Sequence, residues 1–134
     1  MEQYTRGDEV ALPTDDTDLE TAYSAQDYLD VDAKDDVRVA QTATSQYAIH
    51  QFKDYVGAAN TCILEWEGQS SLAPSSSVVT LQIYNRNTTS WETVDSDNSS
   101  AADTDFILTS SIADLTDYKD GSGVISCRVW QLNQ

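Results

Sequence analysis

The chain has 134 residues, with apolar residues at 40% and charged residues at 22%. That is one domain's worth, with enough apolar side chain for a core. Asp and Glu total 23 against 7 Lys and Arg, a net charge of −16. Phosphate backbones are bound through Lys and Arg, so nucleic acid is excluded as a partner and anionic lipid is disfavoured. No apolar run nears the ~20 residues of a membrane helix, and no basic-then-apolar leader opens the chain. Neither a membrane span nor export by a leader is expected.

The acid excess is 17 Asp to 6 Glu, and lysine occurs only at Lys34, Lys53 and Lys119. Such a charge repels itself in dilute buffer, and salt screens that repulsion. The composition suits a protein from a salt-rich cytoplasm.

Residues 1–36 hold 12 acids and 2 bases, and residues 37–134 hold 11 acids and 5 bases. The first stretch contains Pro13 and few large aliphatics, so it buries little surface alone. Asp18 to Leu29 suits one or two helical turns. We read 1–36 as an acidic N-terminal arm, ordered against a neighbouring chain through Tyr4, Val10, Leu12, Leu19, Tyr23 and Tyr28. The alternative is an arm wrapped on its own sandwich as an extra strand.

From Val37 onward, short alternating runs are bounded by Gly, Pro, Ser and Asn, which is a β pattern. Strands are expected at Val37–Thr44, Tyr47–Phe52, Thr61–Glu67, Val78–Tyr84, Trp91–Val94, Phe106–Ser110 and Val124–Leu132. Leu64, Leu81, Ile83 and Val129 are placed in the core. About seven or eight short strands with little helix predict an all-β, antiparallel sandwich, jelly-roll-like, over residues 37–134. Cys62 and Cys127 fall on core faces of separate strands, bonded or as buried thiols. The antibody pattern fails, because Ile125 stands where a Tyr would precede the second Cys.

No catalytic residue is assigned. The one histidine, His50, lies within a strand and is read as structural, and no nucleophile motif surrounds any serine. Carboxylate pairs such as Asp15–Asp16, Glu65–Glu67 and Asp95–Asp97 arise by chance among so many acids. His and Cys are too few for zinc. No cofactor is expected; the weak candidates for a structural cation are Asp30, Asp32, Asp95 and Asp97, in clusters that do not match an EF-hand. Arg6-Gly7-Asp8 spells the integrin tripeptide, and Asn87-Thr88-Thr89 and Asn98-Ser99-Ser100 are glycosylation sequons. Tyr84, Trp91 and Trp130 are candidates for stacking on a sugar ring or centring an interface.

The run Val78 to Val94, with Ala102-Asp103-Thr104-Asp105-Phe106 and the closing Val124-Ile125-Ser126-Cys127-Arg128-Val129-Trp130, resembles small jelly-roll modules of tailed-virus structural proteins. Similar modules also occur as carbohydrate-binding-like domains. The resemblance spans roughly Val37 to Gln134 in strand texture and carries over no site residues. It implies a non-enzymatic virion protein of a tailed virus infecting haloarchaea, a capsid surface decoration or turret component held by its arm. The alternatives are a tail fibre or baseplate component, or a module binding host glycans. Expected partners are other virion proteins and further copies of this chain; expected location is the outer virion surface, after assembly in the host cytoplasm.

Overall fold

A computed structural model describes residues 3–32 and 37–133. Its strands are β1 (Gln3–Glu9), β2 (Thr21–Ala22), β3 (Tyr47–Tyr55), β4 (Cys62–Gly68), β5 (Val79–Asn85), β6 (Ser90–Asp97), β7 (Phe106–Ile112) and β8 (Val124–Leu132). Among the described residues one helix, α1 (Ala25–Val31), lies between β2 and β3. The fold is all-β, antiparallel and sandwich-like. Six strands form one sheet in the order β2-β1-β3-β8-β5-β6, and β4 pairs with β7 in a second.

Alternation builds the core between the two sheets. Val79, Leu81 and Ile83 of β5 point toward the β4–β7 pair, with Ile125, Cys127 and Val129 of β8 beside them. Phe106, Leu108 and Ile112 of β7 meet them from the other layer, and Leu115 closes one end. Leu81, Ile83 and Val129 are buried as expected, while Leu64 is half-buried against the same cluster. In β6 the register shifts, so that Leu81 faces Asp95 and Gln82 faces Thr93. Val94 is the extra residue of this bulge and packs against the core.

Two expectations are corrected. The N-terminal segment, expected to order against a neighbouring chain, takes the alternative and lies on its own sandwich as an extra strand: β1 pairs along its whole length with β3, from Gln3 opposite Lys53 to Glu9 opposite Tyr47. Its far edge is covered by β2, which leads into α1. The helix starts at Ser24, whose side chain accepts from the Asp27 amide while Asp27 accepts from the Ser24 amide. The second correction is Val37–Thr44, which has no regular structure. β1 occupies the edge of β3 that this run would have joined, and its anchors are irregular ones, Gln41 to Arg6 and Asn133 to Ala43. The expected arm–sandwich boundary at residue 36 lies outside the described residues.

Candidate functional site

Two faces of the large sheet carry organised polar chemistry. On the outer face, residues 10–20 form a strap across the strands. Cross-strand register lines up Thr5, Gln51, Arg128, Gln82 and Thr93 in one row beneath it. Gln51 donates from Nε2 to the Asp16 and Thr17 carbonyls at 3.0 and 3.1 Å. Arg128 donates to Gln82 Oε1 through Nε and to the Pro13 carbonyl through Nη1, both at 2.8 Å. Its guanidinium lies 4.2 Å from the Trp91 ring centre, and the Trp91 indole donates to the Asp15 carbonyl at 3.1 Å. Arg128 is only 3% exposed, and burial pulls its guanidinium down to about 10.

Asp16 is the strap's anchor. Its Oδ2 accepts from Arg86 Nη1 at 2.9 Å and from Ser126 Oγ at 2.7 Å. Burial opposes its ionisation, but hydrogen bonds from Ser126 and Arg86 and the Arg86 charge outweigh burial and hold the carboxyl below its usual value. Asp18 pairs with Lys53 at 2.8 Å, and the Leu19 amide donates to Thr5 Oγ1 at 3.1 Å. Three of the seven cations, Lys53, Arg86 and Arg128, thus bind the strap.

The inner face is covered unevenly. The β4–β7 pair lies over the β8-β5-β6 side, which leaves a cleft of about 870 Å³ between β4 and α1 with residues 37–41. Its floor includes His50, Phe52 and Val129, and its walls include Trp66, Glu65, Glu67, Asp30 and Asp32. Leu29, Val31, Val37 and Ile63 line it while remaining 66, 41, 50 and 74% exposed. Tyr4, Tyr23, Tyr28 and Phe52 pack together at one end, with ring centres 4.9–6.2 Å apart. Tyr4 donates to Asp54, and Tyr28 accepts from the Tyr4 amide, each at 2.7 Å. His50 Nδ1 and the Tyr23 hydroxyl share a hydrogen bond of 2.6 Å. Burial first, then the nearby Arg6 charge, pull His50 down to about 4, and burial pushes the Tyr23 phenol up. The pair is neutral at pH 7.

The expected partner-binding residues divide accordingly. Leu19 and Tyr23 are buried in the chain's own fold, and Tyr4 and Tyr28 are half-buried in the tyrosine cluster. Leu12 is half-buried, and Val10 is 79% exposed. The alternation correctly put Tyr84, Trp91 and Trp130 on the face away from the core, yet that face is covered. Tyr84 is 7% exposed and packs on Trp91, while Trp130 donates to Gln82 and meets Tyr47 edge-on.

The acids proposed for a cation do not converge: among the described residues no three His, Cys, Asp or Glu side chains form a metal-holding group. Asp97 caps its own loop through Ser99 and Ser100, and Asp95 accepts from the Ser96 and Thr109 amides. Asp30 and Asp32 line the cleft; Lys34, Asp35 and Asp36 of that run lie outside the described residues. Cys62 and Cys127 are free thiols, and burial pushes both upward. Arg6-Gly7-Asp8 sits inside β1 rather than on a loop, all three paired with β3 and Arg6 also with β2. Asn87 and Asn98 are exposed in turns.

Sequence reasoning missed Asp16, Gln51, Gln82, Arg86 and Arg128 as a unit. The alternation marks Gln82 and Arg128 as facing away from the core; what it lacks is any sign that residues 10–20 cover them. Compared with known proteins, the chain matches no family model, no curated protein and no solved structure.

Proposed function

We propose that this chain is a non-enzymatic structural protein of a virion, a capsid surface decoration or turret component of a tailed virus from a salt-rich host. The observation that carries this reading is how the N-terminal segment binds. Its strap offers main-chain carbonyls and one carboxylate to Arg86, Arg128, Gln51 and Trp91, and so engages the sandwich as a ligand would. Segments held this way suit proteins that dock by an extended arm. The charge supports an outer location, because −16 is repelled by packaged nucleic acid. The test is the protein composition of purified particles. A virion component is present at a fixed copy number and stays through repeated density banding; a chain absent from banded particles ends the reading.

The inner cleft favours a second reading, a tail or surface module that recognises host glycans. Its aromatic rings and carboxylates are the groups that stack on sugar rings and accept hydrogen bonds from their hydroxyls. Glycan binding by the isolated chain, lost on Trp66→Ala, would move the function there.

A further inference from the structure

We infer that the N-terminal segment, residues 3–32, exchanges between copies of this chain, so that the strap of one copy lies on the outer face of another when copies are crowded. This rests on reading the segment as a docking arm, and not on the virion assignment. Three observations lead to it.

First, the segment is held mainly by directional polar bonds to distant parts of the chain. Pro13, Asp15, Asp16, Thr17 and Asp18 all bind residues of β3, β6 or β8 or the turn after β5. Each of these bonds forms equally well when donor and acceptor belong to different copies, so exchange sacrifices none of them. Second, the segment contributes little to the main core. Only Leu19 and Tyr23 of its large apolar side chains are buried, and neither belongs to the two clusters between the sheets. The sandwich core stays closed whichever copy supplies the strap. Third, the described part of the connection from the segment to β3, residues 37–46, has no regular structure, and Ser45 takes a left-handed turn with φ 56°. A reversal built on a non-glycine left-handed residue gains by straightening, as it would when the segment reaches across to a neighbour.

Charge fits the same partner. The segment carries half of the acid excess, nine acids against Arg6 alone, while the outer face supplies Lys53, Arg86 and Arg128. A second copy presents that same set of cations in that same register. Closure within one chain benefits from an effective concentration in the mM range. Exchange therefore requires copies packed at comparable density, which an array on a shell provides and dilute solution does not.

The test uses the full, unaltered chain. Equal amounts of ¹⁴N- and ¹⁵N-labelled protein are unfolded together and refolded in molar KCl at ~10 µM, far below the expected closure concentration, and at ~1 mM, where that range begins. A carbodiimide then joins Asp18 to Lys53, which lie 2.8 Å apart, as an amide with loss of water to the reagent. Peptides bearing one light and one heavy half report exchange. The expected result is same-label pairs at the low concentration and a clear mixed fraction at the high one, about half being its ceiling at complete exchange. Same-label pairs alone at both concentrations overturn the inference. So does an equal mixed fraction at Lys119, whose bonds are to the Gly57 and Ala59 carbonyls rather than to the strap, because random collision then accounts for the result. Purified particles lacking this chain would refute the virion reading and leave this measurement unaffected.

Discussion

Tyr23 and His50 share a short hydrogen bond on a half-buried floor, and the imidazole proton ties it to pH. The folded pKa of His50, about 4, lies below its ordinary value of 6.5. The unfolded chain therefore binds the extra proton more readily. The contribution to stability is complete above about pH 6.5 and is lost as pH falls through about 4, amounting to about 3 kcal/mol at most. The charges around the ring are Arg6 from β1 and Asp27 from α1, and the first opposes protonation while the second favours it. We predict a falling thermal midpoint between pH 6.5 and 4 that flattens in His50→Gln, with an NMR titration of the ring centred near 4. An imidazole titrating near 6.5 would show that the Tyr23 bond does not hold it neutral. Asp16 works in a separate window: its pKa is lowered, so its contribution is present above the ordinary carboxylate value and disappears as pH falls through the folded one. At the core, Leu81 is 3% exposed between the sheets. Leu81→Ala should cost about 2–5 kcal/mol by chemical denaturation, through lost transfer energy and the cavity left behind.

The strap is the element whose role is most distinct from its neighbours. Asp16→Asn keeps the shape of the side chain and removes the charge that Arg86 faces. We predict a loss of about 1–3 kcal/mol and faster exchange of the Leu19 amide, which donates to Thr5 Oγ1. An unchanged Leu19 exchange rate would mean that the other strap bonds suffice. Strands β4, β5, β7 and β8 were legible in the sequence because their apolar residues alternate against the core between the sheets, and β3 and β6 as short β-rich runs between turn residues. β6 extends beyond the expected Trp91–Val94 because its bulge preserves pairing out to Asp97. β1 was not legible, since Gln3–Glu9 has no apolar alternation: its residues gain order from pairing along β3 on one side and from β2 on the other. The converse held at Val37–Thr44, where an alternating run found that strand edge already taken.

Across the whole molecule the net charge is −16, and the ion pairs that oppose it among the described residues include Arg38–Asp105, Lys53–Asp18 and Arg86–Asp16. Repulsion among the remaining acids acts over distances that salt shortens, from about 10 Å at 0.1 M to about 3 Å at 1 M. We predict a thermal midpoint higher by about 5–10 °C in 2 M KCl than in 0.1 M KCl, corresponding to a few kcal/mol for a chain of this size; a midpoint that does not move would remove the argument for a salt-adapted protein. The sequence by itself determined the all-β class, the main strands of the sandwich and the side of β4, β5, β7 and β8 that faces the core, because period-two alternation is a local property that burial on one face selects. It also determined the sign and size of the charge. Only the tertiary structure decided the fate of residues 3–32. Their polar side chains and carbonyls have no preferred partner in isolation, and they order because the outer face of β3, β8 and β6 and the turn after β5 place Gln51, Arg128, Trp91 and Arg86 at the spacing of the strap.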